Sequence, residues 1–204
     1  MTDPLLHLYD EARAFVRRTP GLATFRRLPE TPPMRRKTPS PVPVLSQLNR
    51  HHPTASASGA SADLARAIID AADRIDWLLT YTEEQVGADF LARYGWFELL
   101  GPTGHFHADD LVAFIAHWGT GLRYPWHRHA AEEVYAVIDG ACIFEAEGKP
   151  ARHAKAGEIS HHIPWQAHAL RTDDTPVLTL VIQAGEGLND VPEMLPDFDA
   201  RVVS

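Results

Sequence analysis

Gly121-Leu-Arg-Tyr-Pro-Trp-His127-Arg-His129-Ala-Ala-Glu-Glu133-Val-Tyr135-Ala-Val-Ile-Asp-Gly140 is the stretch on which the reading of this chain turns. His127, His129, Glu133 and Tyr135 all occupy odd positions. Side chains at i and i+2 of an extended strand share a face. If a short in-phase turn joins two extended pieces here, all four groups point the same way. Val134, Ala136 and Ile138 then point to the opposite side, where a second layer would bury them. Two imidazoles and a carboxylate converging on one point make a site for a first-row transition metal. The Tyr135 phenol would stand beside that metal, where a base is useful.

A His-x-His pair alone is commonly two core or solvated histidines. Here the surrounding pattern gives it weight. Nine of the twelve histidines fall between 105 and 168. Downstream, Gly157-Glu-Ile-Ser-His-His-Ile-Pro164-Trp-Gln-Ala-His168 offers a third histidine after a proline-containing turn. The first segment resembles the first cupin motif, Gly-x5-His-x-His-x3-Glu-x6-Gly, with Gly121, His127, His129, Glu133 and Gly140 in register. The second resembles the second cupin motif less closely. Gly157 and His168 keep their spacing, but Pro164 comes one position late, the second glycine is missing, and Thr172 replaces an asparagine. These departures fall in the turn and not on the ligand. The resemblance implies His127, His129, Glu133 and His168 as metal ligands and a jelly-roll β-barrel as the fold. It leaves the reaction open, because that barrel hosts many.

The chain has 204 residues, 45% of them hydrophobic and 23% charged, which is ordinary for a globular protein with a sizeable core. A net charge of -8 and basic runs no longer than Arg35-Arg36-Lys37 argue against nucleic acid as a partner. The single cysteine, Cys142, lies in the apolar run Ala141–Phe144 and reads as a buried thiol. The N-terminus carries early acids and no basic region ahead of an apolar run, so it does not read as a signal peptide, and no apolar stretch reaches membrane-spanning length. A cytoplasmic protein without membrane or nucleic-acid partners is expected.

The sequence changes character near residue 95. Residues 1–95 read as a helical N-terminal region packing on a barrel, and residues 96–204 as the metal-binding barrel. Leu5, Leu6, Leu8, Tyr9, Ala12, Phe15 and Val16 follow helical spacing, with Thr19-Pro20-Gly21 as the stop. Residues 29–43 hold six prolines and read as a strap or a lid. A short helix is expected over 44–50, then a small-residue linker with a solvated His51-His52 pair. Ser61 is expected to cap a helix whose apolar face is Leu64, Ile68, Ala71 and Ile75, continued by Trp77, Leu78 and Leu79. Residues 83–94 suggest one more helix. Strands are expected at 96–100, 111–118, 132–138, 142–147, 151–154 and 177–183, with Asp139-Gly140 and Glu147-Gly148 as hairpin turns. The tail from 185 reads as acidic and irregular.

One cupin branch fits more closely. The chain resembles the cupin dimethylsulfoniopropionate lyases, which combine a helical N-terminal part with a cupin barrel. They carry a tyrosine two residues after the motif glutamate, as Tyr135 follows Glu133, and another shortly before the first histidine, as Tyr124 is here. That resemblance implies a carbon–sulfur lyase holding one divalent transition metal (Zn, Fe, Mn, Co or Ni). Its substrate would be a small zwitterionic sulfonium compound, split by β-elimination into dimethyl sulfide and acrylate. Tyr135 would be the base and Tyr124 a hydrogen-bonding partner of the substrate. Trp126, Trp165, Trp118 and Trp77 are candidates to face the sulfonium; His161 and His162 read as structural. A homodimer is a further expectation. The same ligands would also serve an iron-dependent cupin dioxygenase or a non-enzymatic small-molecule-binding cupin, neither of which needs Tyr135.

Overall fold

Asp3 starts the first helix by accepting the backbone N–H of Leu5 at 2.9 Å, and Pro4 follows where its missing N–H costs nothing. This helix, α1 (Pro4–Arg18), buries Leu5, Leu8, Tyr9, Ala12, Phe15 and Val16 along one stripe and ends on Arg17 and Arg18, whose charges suit its C-terminus. The structure is a computed structural model and describes residues 3–51, 59–188 and 190–195. The linker from His52 to residue 58 and the tail beyond 195 lie outside the described residues.

Thr19-Pro20-Gly21 ends α1 as expected, with Thr19 as its C-cap, and Pro20 at once opens a second helix, α2 (Pro20–Phe25), at the first turn where proline is tolerated. Other helical expectations are corrected. α3 (Leu45–His51) is the short helix expected. α4 (Ala60–Ala71) is capped by Gly59, at φ 81°, so Ser61 falls inside its first turn instead of at the cap. Its face Leu64, Ile68 and Ala71 is buried, and Ile75 and Trp77 continue it after a 3-10 turn; Leu79 leaves it, at 37% exposure. The single helix expected over 83–94 is two, α5 (Glu83–Val86) and α6 (Ala88–Arg93), broken at Gly87 with φ 83°.

Among the described residues ten strands follow: β1 (Tyr94–Gly101), β2 (Phe106–His107), β3 (Leu111–Trp118), β4 (Arg123–Arg128), β5 (Glu132–Ala146), β6 (Lys149–Lys155), β7 (Ile159–His162), β8 (His168–Arg171), β9 (Val177–Ala184) and β10 (Glu193–Met194). Their hydrogen-bonded order is β10-β4-β8-β5-β9-β3-β1-β2, with β6 and β7 also on β5. All pairings are antiparallel except β1–β2. The path has two open ends and curls like a jelly roll, the class expected, without closing into a continuous barrel.

β5 joins the two curled faces. Its first half pairs with β9 and β7, its second half with β8 and β6. Asp139-Gly140, expected as a hairpin turn, lies inside this strand, just past a register shift between Val137 and Asp139. Gly140 has φ 78°, and a Cβ there would sit 1.9 Å from the Pro176 carbonyl oxygen. The glycine serves a bulge and a close backbone approach, not a chain reversal. Glu147-Gly148 does form the β5–β6 hairpin turn.

The sheet separates two cores. Val134, Ala136, Ile138, Phe97, Ile115 and Leu180 face α1 and α4 in one apolar cluster. Each fully buried aliphatic or phenyl side chain there contributes about 2 kcal/mol relative to exposure. The opposite face carries Tyr94, Trp118, Tyr124, Tyr135 and Phe144 in a second cluster, and Cys142 is buried there as expected. The proline-rich segment is a strap. Arg35 donates its N–H to the His105 carbonyl at 2.7 Å, His107 donates to Pro33 at 2.9 Å, and Met34 bridges Phe106. The tail, expected to be irregular, forms β10 against β4, clamped by Arg128 Nε and NH2 on Glu193 at 2.8 and 3.0 Å. Among the described residues no helix is long and apolar enough to cross a membrane.

Candidate metal centre

β4 delivers His127, the turn before β5 delivers His129, the first residues of β5 deliver Glu133 and Tyr135, and β8 opens with His168. His127 and His168 are direct cross-strand partners. A register shift between Tyr124 and His127 puts these two, of opposite parity in the sequence, on one side, with ring centroids 4.1 Å apart. The bulge compensates for the break in alternation that Pro125 introduces.

The three imidazoles bring ligand nitrogens within 4.8 Å of one another, and all three rings are buried. Glu133 Oε2 lies 3.1 Å from His168 Nε2 and 3.3 Å from His129 Nε2. Each ring has its Nδ1 on a backbone carbonyl: His127 on Pro125 at 2.8 Å, His129 on Ala131 at 2.9 Å, His168 on Gln166 at 2.8 Å. A carbonyl only accepts, so each Nδ1 carries the proton and each Nε2 turns a lone pair toward the centre. Glu133 Oε1 accepts from Gln183 Nε2 at 2.8 Å. His129 Nε2, His168 Nε2 and Glu133 Oε2 are buried with no hydrogen-bond partner. Buried acceptors that converge without partners are costly unless a cation joins them. Three imidazoles and a carboxylate fit a divalent transition metal.

The electrostatics follow from burial and mutual proximity. Burial, then the neighbouring His168 ring, holds His127 well below the usual histidine range. Burial works against a charge on His129, but its contacts with Glu133 outweigh that and raise it. Burial likewise pushes Glu133 up, and the facing His129 and His168 rings more than offset it, so its carboxyl is held well below its usual value. Tyr135 is raised well above its usual value by burial first and the Glu133 charge second.

The pocket in front of these residues has a volume of about 300 Å³. Tyr124 and Tyr135 both line it, as do Tyr81, Tyr94, Trp118 and Trp96. The Tyr81 and Tyr124 hydroxyls hydrogen-bond each other. Burial pushes Tyr81 up to about 12, a rise that the bond to Tyr124 moderates. Of the four tryptophans proposed for the sulfonium, Trp118 alone lines the cavity. Trp77 lies in the helix-facing core and donates to the Ala72 carbonyl at 3.0 Å. Trp126 packs in a small separate cluster, and Trp165 is 56% exposed.

The sequence pattern missed Tyr81, Tyr94, Trp96 and Gln183, which come from distant segments. His162, read from the sequence as structural, is buried against the histidine cluster. His162 is the cross-strand partner of Glu133 and stacks on His168 with centroids 4.2 Å apart. Both its nitrogens are buried without partners. Burial first, and His168 second, lowers it to about 2. The alternation of His161 outside and His162 inside could have revealed it. His161, by contrast, is exposed and paired with Glu132 at 2.7 Å.

Known proteins share this layout. The family model for dimethylsulfoniopropionate lyase matches residues 16–179. The dimethylsulfoniopropionate lyase DddQ of Ruegeria pomeroyi is 36% identical over 186 residues, covering 91% of this chain and 92% of its own. Its crystal structure superposes with a TM-score of 0.84, covering 97% of this chain and 100% of that one, at 32% identity. A chain from the crystal structures of the DMSP lyases RdDddP and RnDddQII superposes with a TM-score of 0.89, covering 94% and 97%, at 38% identity. With its helical cover, its curled sheet and its buried histidine cluster, the chain belongs to the dimethylsulfoniopropionate lyase family.

Proposed function

We propose that the protein is a metal-dependent carbon–sulfur lyase that splits dimethylsulfoniopropionate into dimethyl sulfide and acrylate. His127, His129, Glu133 and His168 are the ligands of one divalent transition metal, and Tyr135 is the base. The observation that carries this reading is the Tyr135 phenol on the wall of a cavity that His127, His129 and Glu133 also line, beside the buried, unpartnered His129 Nε2 and Glu133 Oε2.

The elimination moves one proton and two pairs of electrons. Tyr135 takes the proton from the carbon next to the substrate carboxylate. The C–H pair becomes the new C=C bond, the C–S bond breaks, and sulfur leaves with the C–S pair as neutral dimethyl sulfide. A divalent cation held by the four ligands would draw in the substrate carboxylate, acidify the adjacent C–H and favour the phenolate. That favour matters because burial alone makes Tyr135 a reluctant phenolate. Tyr124, bonded to Tyr81, offers a hydroxyl for the charge that develops on the substrate. The aromatic walls keep water from the reacting carbon.

The test is headspace detection of dimethyl sulfide from purified protein given the substrate, with a chelator, with metal restored, and without oxygen. Release abolished by the chelator, recovered with metal and indifferent to oxygen supports the lyase. Product formed only with oxygen supports the oxygenase alternative, and no turnover in any arm supports a binder.

A further inference from the structure

Glu98 is an acid held deep in the pocket wall without a cation. β1 puts Tyr94, Trp96 and Glu98 on its inner face, and Glu98 pairs across to Phe114 of β3. Glu98 is 2% exposed and lines the cavity. Its carboxylate accepts from the Thr103 backbone N–H at 2.9 Å and from the Thr103 hydroxyl. Among the described residues no lysine, arginine or histidine nitrogen comes within ion-pair reach of it. Room is kept for it: a Cβ at Gly101 would sit 2.3 Å from Glu98 Oε1. The turn that supplies Thr103 is held from outside by the strap, with Lys37 Nζ on the Thr103 carbonyl at 3.0 Å.

We infer that Glu98, with Trp96 and Phe114, receives the cationic sulfonium end of the substrate and sets the preference for an onium over a neutral group. The inference rests on the lyase reading above and adds the recognition of the end remote from the metal. Trp96 and Phe114 meet edge to face at 5.6 Å beside the carboxylate, presenting the electron-rich surfaces that attract an onium. Glu98, Trp96 and Phe114 line the same cavity as His127, His129 and Glu133. Trp118 of β3 and Tyr124 of β4 meet in its wall, with centroids 6.2 Å apart. From there β3 leads back to Phe114 while β4 leads on to His127. The substrate is charged at both ends, and the two walls offer opposite ends what each needs. A buried carboxylate without a counter-charge is costly, and a cationic guest relieves that cost.

The probes are N,N,N-trimethyl-β-alanine, which carries a quaternary ammonium, and 4,4-dimethylpentanoate, its isostere with a neutral tert-butyl end in place of the ammonium. Their binding to wild type and to Glu98→Gln is measured by inhibition and by calorimetry, beside dimethyl sulfide release. Wild type should bind the ammonium compound about tenfold more tightly than the isostere. Glu98→Gln keeps the shape and an acceptor for Thr103. It should bring that ratio near one and raise the substrate KM about tenfold, leaving the isostere's affinity as it was. A variant that weakens both probes alike, or that keeps the wild-type ratio, would show that Glu98 merely holds its turn and would overturn the inference. If the variant fails to fold, equal binding of the two probes by wild type overturns it. Wild type that binds both probes but releases no dimethyl sulfide defeats the lyase reading, while the binding ratio still judges Glu98.

Discussion

Replacing His105 with glutamine should flatten the acid limb of the stability curve. His105 is 1% exposed, accepts the Asp76 N–H on Nε2 at 3.2 Å, packs edge-on to Phe97 and leaves Nδ1 buried without a partner. Burial, with Lys37 next in weight and Asp76 opposing, lowers it from 6.5 to about 4. The unfolded chain therefore takes up a proton near pH 6.5 that the folded chain refuses until about pH 4. Stability is complete above the unfolded value, falls as pH drops through this window, and levels off below it. The gap of 6.5 minus 4, at about 1.4 kcal/mol per pH unit, sets a ceiling of about 3 kcal/mol. Lys37 is partly exposed and screened, so about 2 kcal/mol is the expected loss. Urea unfolding of both proteins from about pH 7 to about pH 4.5 measures it as the difference between two slopes. Glutamine keeps an acceptor for Asp76, so the variant should lose about 2 kcal/mol less than wild type over that range. Parallel curves would refute the reasoning. The site matters beyond stability, because the His105 carbonyl anchors the strap to the turn that holds Thr103.

Two further substitutions probe the frame and the support of the metal centre. Gly140→Ala puts a Cβ 1.9 Å from the Pro176 carbonyl in a left-handed conformation, and should cost more than about 2 kcal/mol, read as a lower unfolding midpoint. His162→Ala removes the ring stacked on His168 and should weaken metal retention about tenfold, measured by competition with a chelator.

The convergence of the candidate ligands was legible in the sequence because their spacing is a property of the backbone. His127, His129, Glu133 and Tyr135 share parity, and β4 and β5 are extended on either side of a short turn. Tyr124 broke parity, and a bulge restored it, which no alternation rule anticipates. Asp139-Gly140 misled for the opposite reason. The pair is a strong hairpin signal, but whether a strand reverses or bulges depends on what passes beside it, here Pro176. Tyr81 and Tyr94 were invisible because nothing local ties them to Tyr124; the pairing of β1 with β3 brings Tyr94 opposite Trp118, and the hydroxyl contact brings Tyr81 in. Glu98 read as an ordinary strand carboxylate until its face was known. Ser61 is a good capping residue, yet Gly59 with its positive φ turns the chain two residues earlier.

In the proposed reaction a phenol beside a histidine-bound cation pulls the proton that starts the elimination. The most direct test of that step is Tyr135→Phe, assayed for dimethyl sulfide release and for bound metal in the same preparation. Metal should stay near the wild-type level while kcat falls at least about a hundredfold. Release at close to the wild-type rate, with metal in place, would contradict it.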